Sequence, residues 1–231
     1  MSSPPAGPVP VAFCPCPPLL LPEVARGAAA DTGALLAACE AAVGALAAGR
    51  PDAVVLVGPD ADGRYGPGDG GDLRGFGVDL EVPLDGAVRP GGRQLPLSLT
   101  VGAWLLDGAG YAGARVGAGP EDLTAVVAEL PGRTGLLVMG DGSARRSEKA
   151  PGALDPAAGP FDAAVAAALA HGDAGALAAL DPAEGARLLA AGVPAWRAVG
   201  ALLAGREVAG DLLLDDAPFG VGYLVACWTA R

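Results

Sequence analysis

The chain has 231 residues, with 15 Lys and Arg against 26 Asp and Glu and a formal net charge of −11. So acidic a chain lacks the clustered cations that displace counterions from phosphate, which excludes nucleic-acid binding through a basic surface. Gly (37) and Pro (22) lean towards disorder, but 52% of the residues are hydrophobic and only 4% aromatic, so a core of Ala, Val and Leu can form.

At the start, Met1–Pro10 has no positive residue before an apolar run and does not read as a signal peptide; residues 1–7 read as a flexible N-terminus. Pro8–Cys14 reads as a strand stopped by Pro15–Pro18. Glu23–Ala48 has helical periodicity, with Asp31 or Thr32 able to cap a second segment. Ala53–Gly58 is a continuous apolar run, as expected of a strand buried on both faces. Asp60–Gly75, dense in Gly and Asp, reads as a loop. A strand over Val78–Val82, a helix over Leu97–Leu106 and a strand over Tyr111–Val116 follow. Glu121–Leu130 then reads as a helix and Thr134–Gly140 as a strand. Phe161–Leu203 is helical in pieces broken at Gly172, Pro182 and Pro194, and the chain ends in strands over Glu207–Leu214 and Gly222–Trp228.

Strands alternating with helices imply one α/β domain, a mostly parallel central sheet with helices on both faces. No stretch reads as long and apolar enough to cross a bilayer. Four cysteines (Cys14, Cys16, Cys39, Cys227) are too few and too irregular for a secreted disulfide scaffold, which points to the cytoplasm. In such folds ligands bind beyond the carboxyl ends of the strands. That rule selects four loops: Pro15–Pro22, Pro59–Gly75, Asp141–Pro160 and Asp215–Gly222.

Within the third of these, Asp141, Ser143, Arg145, Arg146 and Lys149 gather two arginines and the only lysine of the chain. Such a cluster either holds an anionic group or is a solvated surface loop. Tyr65 and Phe219, with Phe76 and Tyr223, can line an aromatic pocket or fill the core. The single histidine, His171, stands at a helix end before Gly172, where an imidazole meets the helix C-terminus favourably.

Three motifs in order resemble the class III extradiol ring-cleavage dioxygenases, the LigB-like superfamily. They are Phe13-Cys14-Pro15-Cys16-Pro17-Pro18, the loop from Gly140 through Asp141, Ser143 and Arg145, and Asp215-Asp216-Ala217-Pro218-Phe219-Gly220-Val221-Gly222-Tyr223. The resemblance implies that superfamily's fold and an Fe(II) site of two His and one carboxylate, with a further His as acid/base and open positions for a catecholate and O₂. Carried over by position, the first ligand falls at Cys16, the second at or near Asp60, the carboxylate at Asp216 or Asp215, and the acid/base at Ala144. None of these is histidine, and Ala144 has no proton to exchange.

Three readings follow. In the first, the chain is a diverged, catalytically altered member, a pseudoenzyme or one doing non-oxidative chemistry, with a pocket for a small anionic or aromatic molecule. In the second, it is a metalloenzyme using Cys16, Asp60 and Asp216 to hold Zn or another divalent ion; caps or turns are the plain alternative for the two aspartates. In the third, it is a non-catalytic structural or partner-binding protein of the same fold. Ala/Leu-rich helical surfaces are compatible with a homodimer or other homo-oligomer.

Overall fold

Alternation of side chains along each strand decides the architecture, because both faces of the central strands are apolar. In this computed structural model residues 9–231 are described, with residues 28–30 described by backbone alone. The segment 1–7 and Pro8 lie outside the described residues. The chain runs β1 (Val9–Cys14), α1 (Pro22–Ala25), α2 (Ala29–Ala48), β2 (Ala53–Val57), β3 (Arg64–Tyr65), β4 (Gly70–Asp72) and β5 (Glu81–Pro83). It continues through α3 (Leu97–Gly108), β6 (Ala114–Ala118), α4 (Leu123–Glu129) and β7 (Thr134–Met139). Four helices follow, α5 (Ala158–His171), α6 (Ala174–Ala178), α7 (Pro182–Arg187) and α8 (Val193–Leu203), before β8 (Val208–Asp216) and β9 (Tyr223–Ala230).

Seven strands form one sheet in the order β3-β6-β2-β7-β1-β9-β8, and β4 and β5 make a separate two-stranded ribbon. The four central strands, β6, β2, β7 and β1, are mutually parallel. The other three join antiparallel: β3 on β6, β9 on β1, and β8 on β9 as a hairpin. Every residue of β2 and β7 is buried, as strands covered on both faces require.

Each strand divides its side chains between two cores. Phe13, Val55, Leu136 and Val138 pack with α4, α5, α6 and α8 on one face. Cys14, Leu56, Leu137 and Met139 pack with α2 and α3 on the other. The expected α/β sheet with helices on both faces is therefore present. Phe13 meets Trp228 edge-on, with ring centroids 4.8 Å apart, and the Trp228 indole N–H donates to the Leu169 carbonyl at 2.6 Å, tying α5 to β9.

Several boundaries differ from the sequence reading. The Asp60–Gly75 loop contains β3 and β4, short strands that glycine-rich composition conceals. The strand expected at Val78–Val82 is β5, at Glu81–Pro83. The strand expected at Tyr111–Val116 starts only at Ala114, because the Tyr111 hydroxyl donates to the Pro51 carbonyl at 3.1 Å and the chain turns there. Asp31 and Thr32 lie inside α2, which begins at Ala29, and do not cap it. The window Asp31–Ala48 is, by length and composition, apolar enough to cross a membrane, contrary to the sequence reading. In the fold its Leu35, Cys39, Ala42, Val43 and Leu46 are buried in the second core.

Candidate functional site

Beyond the carboxyl ends of β1, β2 and β7 lies a cavity of about 470 Å³, a size ordinary for small-molecule sites. All four strand-end loops selected from the sequence reach it. The first supplies Cys16 and Leu19, the second Pro59 and Asp60, the third Asp141 and Pro151, and the hairpin loop Phe219 and Val221. Leu97 from α3, Ala191 from the turn before α8 and Tyr223 from β9 complete the wall. Among the described residues the lining is apolar apart from one acidic end, and no cation contributes to it.

Local backbone geometry sets that acidic end. Cys16, two residues past β1, donates its backbone N–H to Asp141 Oδ1 at 2.8 Å. Asp60 accepts a hydrogen bond from the Ser98 hydroxyl at the start of α3. That approach needs Gly58, because a Cβ there would stand 2.1 Å from Ser98 Oγ. Burial raises the Asp141 carboxyl to about 6; the Asp60 charge adds to the rise, and the hydrogen bonds from Cys16 oppose it. The Cys16 thiol is pushed well above its ordinary value by burial, then by Asp141 and Asp60. It is therefore a neutral thiol at pH 7 and not a ready nucleophile. Tyr223 is likewise raised, by burial first and then by Asp141 and Cys16.

Of the sequence-selected pocket residues, Asp141 and Phe219 line this cavity. Ser143, Arg145, Arg146, Lys149 and Tyr65 do not. Ser143 is fully buried; its N–H donates to Asp162 Oδ1 at 2.9 Å and its hydroxyl to the Leu188 carbonyl at 2.7 Å. Arg146 pairs with Asp162 Oδ2 at 2.9 Å, and its N–H donates to the Gly220 carbonyl. The loop also exchanges backbone bonds with Gly222, which donates to the Ser143 carbonyl and accepts from the Gly142 N–H. The cationic loop is thus a clasp holding the β8–β9 hairpin. A Cβ on Gly222 would meet Asp162 Oδ2 at 2.1 Å, so the clasp closes only over glycine. Arg145 has its Nε buried without a hydrogen-bond partner, and Lys149 is exposed. Tyr65 lies on edge strand β3, with the Arg93 guanidinium 4.0 Å from its ring centroid and its hydroxyl donating to Asp62.

The metal reading is corrected at Asp216. That residue is exposed at the end of β8, and its Oδ1 accepts from the Ala217 N–H at 2.7 Å, the turn-capping alternative. Cys16 and Asp60 share a cavity; Asp216 does not line it. Among the described residues no group of three or more His, Cys, Asp or Glu side chains is arranged to hold a metal ion. With the third donor, Asp216, outside the cavity and no such group at it among the described residues, these residues do not fit either Fe(II) or Zn. Ala144 does not line the cavity. His171 is exposed, its Nδ1 2.7 Å from the Ala167 carbonyl at the end of α5.

Sequence reasoning missed Asp162 as the centre of the clasp. The available signal was a lone carboxylate inside an otherwise apolar, Ala-rich helix; it is completely buried. Such an acid is retained when partners satisfy it.

No family model matches the chain, and no curated protein matches it. Among solved structures it is similar to the crystal structure of an uncharacterized protein, JW3007, from Escherichia coli K12. The two are 13% identical, with a TM-score of 0.50 over 95% of this chain and 99% of that one, a likeness of fold alone.

Proposed function

We propose that this chain is a diverged relative of the class III extradiol dioxygenases, a small-molecule-binding protein whose cavity takes an uncharged aromatic group. The carrying observation is the cavity at the strand ends: apolar walls with Phe219 and Tyr223, an acidic end at Asp60 and Asp141, and no lining cation. A phenolic or other hydroxyl donates to those carboxylates while the ring is desolvated against Leu97, Phe219 and Val221. An anion placed directly on the ring meets two acids instead, and Arg145, Arg146 and Lys149 lie elsewhere, so the aromatic class is favoured over the anionic one.

Ring cleavage by the family's residues has no support in this arrangement. Of the three donor positions only Cys16 and Asp60 share the cavity, and Ala144 has no proton to move. What the chain's own groups can do is acid–base work: Asp141, raised to about 6, exchanges a proton near neutral pH inside a largely apolar cavity.

Equilibrium dialysis with phenol, catechol and benzoate tests this, alongside O₂ uptake on catechol after anaerobic Fe(II) loading. Phenol and catechol are expected to bind, benzoate at least about tenfold more weakly, and no O₂ uptake is expected above buffer containing Fe(II). Preferential binding of benzoate, or O₂ consumption with a ring-fission product, would overturn the proposal.

A further inference from the structure

We propose that the trough between α7 and α8 is a second ligand site, which takes a monocarboxylate carrying an unbranched alkyl chain. The trough is a cavity of about 560 Å³, ordinary in size for a small-molecule site, and it shares only Ala191 with the strand-end cavity. Pro182 and Ala186, four residues apart, line it from one face of α7. Pro194 and Arg197, three apart, line it from one face of α8. Among the described residues Arg197 is the one charged side chain in the lining, and the rest is aliphatic. No aromatic ring is there to stack a flat group, and no hydroxyl or amide side chain to orient a polar one. Such walls suit an alkyl chain, which needs only to leave water.

Arg197 sets the headgroup. Its Nη1 donates to the Leu180 carbonyl, which holds the half-buried side chain in place just beyond α6. Among the described residues it has no ion pair, although Arg187 on α7 is bound to both Asp155 and Glu184. A guanidinium has five N–H donors, so most of its capacity remains for a ligand. Its planar fork matches a carboxylate bidentately. A dianionic phosphate needs more than one cation, and a chain of net charge −11 opposes it.

Leu189 points to the same site independently. Helix α7 closes with the Ala190 N–H donating to the Gly185 carbonyl at 2.9 Å and the Leu189 N–H to the Ala186 carbonyl at 3.2 Å. The residue at that corner must be left-handed, and glycine is its usual occupant. Here a leucine takes it, at φ 55°. Its side chain does not enter the core; it is 45% exposed and stands in the cavity lining. It leans over Gly152, where a Cβ would come within 2.7 Å of Leu189 Cδ1. A strained, exposed leucine at the lip of an apolar cavity is what a contact with a ligand requires and the fold does not.

The test is calorimetry with octanoate, octan-1-ol and octyl phosphate on the wild-type chain, Arg197→Met, Arg197→Lys and Leu189→Gly. In the wild type octanoate is expected to bind about tenfold more tightly than octan-1-ol, and more tightly than octyl phosphate. Arg197→Met should erase the preference for the acid, and Arg197→Lys should retain part of it. Leu189→Gly should weaken octanoate about threefold or more, with a urea midpoint no lower than wild type because glycine relieves the corner. Saturating phenol should leave octanoate binding unchanged, which separates this site from the strand-end cavity. Octanoate no tighter than octan-1-ol in the wild type, octanoate displaced by phenol, or a preference that survives Arg197→Met would each overturn the inference. So would a wild-type dimer, seen by sedimentation, that Leu189→Asp converts to monomer, since the trough would then be covered by a second copy. The wild-type comparisons decide the matter even where a variant fails to fold.

Discussion

Asp141 and Asp162 are the same residue type, 21 positions apart, placed in opposite circumstances. Asp162 is completely buried, accepts the Ser143 N–H and pairs with Arg146. Burial raises its carboxyl, while the Ser143 N–H and then Arg146 oppose the rise. Asp141 faces a cavity, accepts from Cys16 and has no cation beside it. One carboxylate is satisfied and holds loops together; the other is left with capacity for a proton or a ligand. The pair shows that an acidic residue in a loop motif acquires its role from its partners and not from the motif.

The largest expected effect belongs to the satisfied acid. Asp162→Ala leaves the Arg146 guanidinium and the Ser143 N–H without their partner and should cost about 3 kcal/mol in denaturant unfolding. Asp141→Ala should cost under about 1 kcal/mol, since it removes one hydrogen bond and relieves a buried charge. Equal losses at the two positions would erase the distinction.

The two acids also separate by pH. The folded Asp141 carboxyl lies near 6 against an ordinary value of 3.8, so its protonated form is favoured in the folded state. That contribution is complete below 3.8 and is lost as pH rises through about 6. Asp141→Asn should therefore gain about 2 kcal/mol relative to wild type on going from pH 4 to pH 8, measured by urea unfolding at each pH. A wild-type-like pH profile in the variant would remove Asp141 from this role.

Smaller effects sharpen the boundary between clasp and cavity. Ser143→Ala should cost about 1 kcal/mol through the lost bond to the Leu188 carbonyl, with phenol affinity unchanged. Asp216→Asn should stay within about 0.5 kcal/mol of wild type, because its carboxylate makes one exposed turn contact. It should also leave phenol binding as it is.

Much of the fold is legible in the sequence because the central strands carry uninterrupted apolar runs. Ala53–Val57 and Thr134–Met139 can only be strands buried on both faces in a chain this rich in short Ala/Leu helices. The strand-end rule also locates the cavity, since all four selected loops reach it. Other features depend on contacts that a linear reading does not contain. β3 and β4 exist through pairing with β6 and β5, not through propensity. The sequence groups Asp141 with Arg145 and Arg146, but folding turns Asp141 towards Cys16 and Arg146 towards Asp162. The loop backbone is clamped beside Asp141, where the Gly142 N–H donates to the Gly222 carbonyl and the Asp141 carbonyl accepts from the Gly192 N–H. Asp216 sits in a motif alongside Phe219, yet its side chain ends in a local turn contact outside the cavity.

The most direct measurement is an NMR titration of isotope-labelled protein with phenol, following backbone amides in the wild type and in Asp141→Ala. Shifts are predicted at Cys16, Asp60, Asp141, Phe219 and Tyr223, with Ser143 and Asp162 unmoved and the affinity reduced in the variant. Shifts centred on Ser143 to Lys149, or no saturable shifts at the strand-end cavity, would contradict the assignment of the cavity as the binding site.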